Sequence, residues 1–146
     1  MAGTILETKE LRREFGALVA VDDVSVVIEE HSLHSIIGPN GAGKTTFFNL
    51  LSGTLKPTSG SVFHRGEDIT YLRPYETIHR GIGRSFQITN LFPTLTVFEN
   101  VRLATQAMAD HNFAFTTPVS AFPDDLARTV EVLELVGLSD DAQKPA

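Results

Sequence analysis

The segment that most restricts what this chain can fold into is Ser35-Ile36-Ile37-Gly38-Pro39-Asn40-Gly41-Ala42-Gly43-Lys44-Thr45-Thr46. A short apolar run leads into three glycines, a lysine and two threonines, and a helix-forming stretch ending at Gly53 follows. Residues 38–45 satisfy G-x-x-x-x-G-K-[ST] in full. Each part has a physical reason. Glycine permits positive φ and lets backbone N–H groups come close to a ligand. Several N–H groups aimed inward make an anion-binding nest. The helix behind them adds its own unsatisfied N–H groups and the positive end of its dipole. An ammonium at Lys44 suits the β- and γ-phosphates of a nucleoside triphosphate, and a hydroxyl at Thr45 suits Mg²⁺. The pattern predicts an α/β fold, with a strand entering the loop and a helix leaving it.

The remaining elements are read from periodicity and turn chemistry. Residues 4–15 carry charges nearly throughout after Leu6, which predicts a strand on an exposed antiparallel edge. Val24, Val26 and Ile28 alternate with Ser25, Val27 and Glu29, the pattern of a half-buried strand. Residues 33–38 end in consecutive apolar positions, which suits a strand covered on both faces. Residues 61–69 predict a strand, a Gly turn and a second short strand. Pro74 opens a helix to about Arg80, and residues 81–87 predict another short strand. Thr96 and Glu99 match a capping box, with Val97, Val101, Ala104 and Met108 at helical spacing behind them. A loop over 109–122 precedes a helix from Pro123, with Leu126, Val130 and Leu133 as its apolar stripe and Gly137 as its stop. Strands come mostly first and helices afterwards, so two subregions are expected, with the break near Gln87.

Bulk properties exclude several classes. A net charge of −6 argues against a nucleic-acid partner, which would call for a basic face. The chain has no cysteine, so disulfide and thiolate chemistry are out. No apolar run approaches the roughly 20 residues needed to span a bilayer. The first ten residues lack the basic and apolar regions of a signal peptide. A soluble, cytoplasmic protein is expected, reaching any membrane through a partner. The five histidines show no ligand spacing.

Three blocks stand in order along the chain: residues 15–25 (FGALVAVDDVS), residues 38–46 (GPNGAGKTT) and residues 83–101 (GRSFQ, then LFPTLTVFENV). Together they resemble the ATP-binding cassette (ABC) transporter ATPases, over about Leu6 to Leu138. Among these, residues 81–101 are most similar to the ATPase subunits of branched-chain amino-acid importers. The resemblance implies a partial P-loop NTPase core with an antiparallel β subdomain over 1–86, a glutamine loop over 87–94 and the start of a helical subdomain over 95–146. It implies ATP and Mg²⁺ as cofactors. Phe15 would stack on the adenine, with Val21 near the same ring. Asn40, Gly41, Ala42, Gly43, Lys44, Thr45 and Thr46 would hold the phosphates. Thr45 and Gln87 would face Mg²⁺, and Lys44 and Gln87 would serve hydrolysis. Leu91, Phe92 and Pro93 would border a groove for a helix of a transmembrane permease. The implied partners are permease subunits and a second ATPase subunit, on the inner face of the plasma membrane.

The family also carries a glycine-rich signature, an apolar strand ending in Asp-Glu and a switch histidine. None of these occurs in the 146 residues; Gly137-Leu138-Ser139-Asp140-Asp141 lacks the glycine pair and the glutamine of the signature. These residues are therefore expected to be the N-terminal part of a longer cassette, with doubtful hydrolysis and a tendency to self-associate when alone. A nucleotide-binding module without turnover, and an ABC protein outside transport, are the competing readings.

Overall fold

Strands β1 (Thr4–Phe15) and β2 (Leu18–Glu29) form an antiparallel hairpin whose two-residue turn brings Phe15 opposite Leu18. The coordinates are a computed structural model describing residues 3–85, 91–109 and 116–146. They divide into two units, residues 1–85 and 86–146. In the first, β3 (Ser59–His64) and β4 (Glu67–Asp68) complete an antiparallel sheet in the order β2-β1-β3-β4.

Strand β1 is thus internal, bonded on both sides, and not the edge its charges suggest. Two of the four register shifts between β1 and β2 explain the misleading pattern. Thr8 pairs with Val26 but Leu11 with Val24, so β1 carries an extra residue there, with Glu10 at φ 48°. Arg13 then pairs with Val21, which puts the next extra residue on β2, with Asp23 at φ 48°. Each insertion resets the alternation of side chains. Leu6 and Leu11 from β1 and Val21, Val24 and Val26 from β2 all reach the same core as a result. Thr8 is buried among them, its hydroxyl donating to Val24 O (2.9 Å) and accepting from Val26 N (3.0 Å).

Helix α1 (Lys44–Leu51) has eight residues, too few to be stable alone. Phe47, Leu50 and Leu51 line one face and pack with Leu11, Val21, Val62 and Ile69. Burial of each such side chain is worth about 1.5–3 kcal/mol, enough to hold the helix in place. A short helix α2 (Pro74–His79) follows, starting at the proline.

Two strand readings are corrected. Residues 33–40 are irregular, with Leu33 96% and Ile37 92% exposed. A strand covered on both faces needs neighbours to take its backbone hydrogen bonds, and none of the described residues supplies one. Residues 82–85 are likewise irregular. Arg84 ties this segment to α1 through the side chains of Asn49 and Ser52.

The second unit holds α3 (Val97–Ala107) and α4 (Pro123–Leu135), with single 3₁₀ turns at Val119–Ala121 and Ser139–Asp141. Thr96 caps α3 by accepting from Glu99 N (3.1 Å), while the Glu99 carboxylate turns instead to Arg102. The next free amides, of Val97 and Phe98, donate to Lys144 O (2.9 Å) and Ala142 O (2.8 Å). The predicted stripes hold in part: Leu133 is buried and Val97, Val101 and Leu126 are half-buried, but Ala104, Met108 and Val130 are exposed, and Thr129 is buried in place of Val130. A hydroxyl can sit there because Thr129 donates to Asp125 O (2.7 Å) and pairs with the Thr105 hydroxyl (2.9 Å). We expect Thr96→Ala to cost about 1 kcal/mol, seen as a lower urea midpoint and faster amide exchange in the first turn of α3.

Candidate functional site

Gly41 and Gly43 take φ 84° and 79°, so the chain makes two left-handed steps just before α1. Gly43 is the residue before the helix, and no side chain caps that end. The first intrahelical bond is from Phe47 N to Gly43 O (2.8 Å). The amides of Lys44, Thr45 and Thr46 therefore have no acceptor inside the helix. The Lys44 ammonium folds back over the loop and donates to Gly38 O and Pro39 O, both at 2.6 Å. An ammonium has three donors, so one stays available for a ligand.

The β1–β2 turn closes on this loop. A Cβ at Gly43 would lie 2.0 Å from Ala20 O, so the start of β2 rests directly on the loop backbone. That approach creates a cavity of about 320 Å³. Phe15, Leu18, Val19 and Ala20 line one side, and Asn40 through Thr46 line the other. Among the described residues, Lys44 is the only charged side chain in this lining. Phe15 is 43% exposed.

The structure thus brings Phe15, Asn40, Gly41, Ala42, Gly43, Lys44, Thr45 and Thr46 to one place. It does not bring Val21, which is 5% exposed in the core, outside this lining. The resemblance implied Val21 near the ring, whereas here it lies under Gly43 and packs in the core with Phe47. Gln87 lies outside the described residues. Leu91 and Phe92 are more than half exposed, and Asn100 brackets the Phe92 backbone, accepting from its N (2.9 Å) and donating to its O (3.1 Å).

Two features escaped the sequence reading. The Ala20 carbonyl gives Gly43 a second reason to be glycine, and only the fold reveals it. Arg13 stacks on Phe15, 4.6 Å from the ring centroid. Their spacing of two on one strand was the available signal.

A family model described as ABC transporter matches residues 21–146. The high-affinity branched-chain amino acid transport ATP-binding protein BraF of Pseudomonas aeruginosa is 39% identical, with 100% of this chain and 59% of BraF covered. The corresponding protein LivG of Escherichia coli K12 is 34% identical at the same coverage. The chain therefore spans 59% of the length of these relatives. Among solved structures, an ATP-binding cassette of an ABC transporter superposes with a TM-score of 0.81 at 30% identity, covering 97% of this chain and 57% of that one. A cassette in its ADP conformation gives 0.79 at 31% identity, covering 98% and 57%.

Proposed function

The chain belongs to the ABC transporter family, and from that premise we propose that the cavity under the β1–β2 turn binds Mg-ATP. One observation carries the reading: a single cavity joins an exposed aromatic ring to a loop of free amides, with an ammonium as the only charge among its described lining residues. The amides around 41–46 take the phosphate oxygens and Lys44 neutralises their charge. Mg²⁺ fits as a companion of the nucleotide. Among the described residues no cluster of three or more His, Cys, Asp or Glu could hold a metal unaided. Mg²⁺ needs few protein ligands when phosphates and water supply the rest, and the Thr45 hydroxyl is proposed as one. The bound ion offsets phosphate charge in phosphoryl transfer. Gln87 is proposed as a second polar contact to the metal and the attacking water.

Around the ring the lining is Leu18, Val19 and Ala20, with no side chain to read the edge of a base. Stacking alone recognises any purine, so ATP and GTP should bind within about fivefold of each other. For the whole protein we propose ATP-driven transport, of branched-chain amino acids in view of BraF and LivG, with hydrolysis assisted by a second ATPase subunit. No helix among the described residues is long and apolar enough to cross a membrane. Attachment to the inner face of the plasma membrane is accordingly proposed to run through permease subunits, with Leu91, Phe92 and Pro93 bordering their groove.

Competition binding tests the site. Phe15→Ala should weaken Mg-ATP about five- to 150-fold, the value of one stacked base, and leave inorganic tripolyphosphate unchanged. An equal affinity of the variant and the parent for Mg-ATP would remove the ring from the site.

A further inference from the structure

We infer that Arg13 is a positioning residue for the nucleobase, acting through Phe15; this rests on the nucleotide reading above. Arg13 and its neighbour Arg12 use their charges differently. Arg12 makes ordinary ion pairs, with Glu14 at 2.8 Å and with Asp22. Arg13 pairs with no carboxylate among the described residues. Its guanidinium lies on the Phe15 ring, with Nη1 donating to Lys56 O at 2.9 Å. Its Nε–H is buried without a hydrogen-bond partner among the described residues. A buried N–H left unpaired is costly, so the contact with the ring has to offset it. Arg13 does not line the cavity, whereas Phe15 does, so the cation covers part of the ring away from the site.

Two consequences follow for a base on the open side of the ring. The ring is held in one orientation, since the guanidinium is itself anchored to the Lys56 carbonyl, and less ordering is left to be done on binding. The cation also draws π-density toward its own side, which makes the open face a better partner for an electron-rich purine. The effect belongs to the base and not to the phosphates, which the proposed reading assigns to the loop of residues 41–46.

The test measures Mg-ATP and inorganic tripolyphosphate binding to the full chain. Arg13→Met keeps the apolar stem and removes the cation. It should weaken Mg-ATP about fivefold, within the range of a partly exposed cation–π contact, and leave tripolyphosphate within about twofold. In a Phe15→Leu background the same change should cost nothing more, because the coupling runs through the ring. Arg13→Lys, which retains the cation, should recover most of the lost affinity. If Arg13→Met does not fold, Arg13→Gln replaces it with the same expectations. Equal losses for both ligands, or additive losses with Phe15→Leu, would overturn the inference by showing general damage to the hairpin. Unchanged Mg-ATP affinity in Arg13→Met would overturn it too, and leaves the nucleotide site intact if Phe15→Leu still weakens ATP. A parent chain that binds tripolyphosphate as well as it binds ATP overturns both readings together.

Discussion

Lys44→Ala should weaken Mg-ATP binding about 150-fold, while the melting temperature stays close to the parent's. The affinity figure follows from losing hydrogen bonds to a charged ligand, about 3 kcal/mol at a site where Lys44 is the only cation among the described lining residues. The small effect on stability follows from what the ammonium touches now. It donates to the carbonyls of Gly38 and Pro39 on an exposed loop, where water can replace it. Calorimetric titration and a thermal melt on the same preparations separate the two effects. A variant that loses affinity only in proportion to lost stability would mean that Lys44 supports the loop and not the ligand.

Gly43→Ala should have the opposite profile, a collapse of stability with binding lost as a consequence. Two penalties combine at this position. Alanine at φ 79° costs about 1–2 kcal/mol, and its methyl would lie 2.0 Å from the Ala20 carbonyl oxygen, which is backbone and cannot swing aside. Displacing the start of β2 disturbs Val21 and the core beneath it, so a total near 4 kcal/mol is expected. Gly41→Ala is the control. Its φ is 84°, but nothing lies within 4 Å of an added Cβ, so only the conformational penalty of about 1–2 kcal/mol applies. Urea unfolding of both variants measures the difference. Equal losses at 41 and 43 would show that the hairpin does not rest on the loop.

That contrast also shows where sequence reasoning reached and where it stopped. The phosphate loop was legible because its chemistry is local: glycine, ammonium and hydroxyl act within one turn of chain. The helix after it and the hairpin of β3 and β4 were legible for the same reason, from spacing and turn residues. Strand β1 was misread because its alternation is reset at Glu10, and a bulge leaves no mark on a hydrophobic pattern except to blur it. Residues 33–38 have the composition of a covered strand, but a strand also needs a partner, which composition cannot report. In α3 and α4 the inward face turned on Thr105 and Thr129, hydroxyls that satisfy each other across two helices. A polar residue made acceptable by another 24 positions away is invisible to a search for apolar stripes. The closure of Phe15 over the loop belongs to the same class, since it depends on the Ala20 backbone meeting a glycine.

The central claim is that the amides of residues 41–46 and the ring of Phe15 enclose one nucleotide. Amide and aromatic chemical shifts recorded during titration with Mg-ATP test it residue by residue. The account predicts large changes at Gly41, Gly43, Lys44, Thr45 and Thr46 together with the Phe15 ring, tripolyphosphate reproducing the amide changes without those of the ring. Saturating Mg-ATP with no shift at these amides, or shifts confined to another part of the chain, would contradict it.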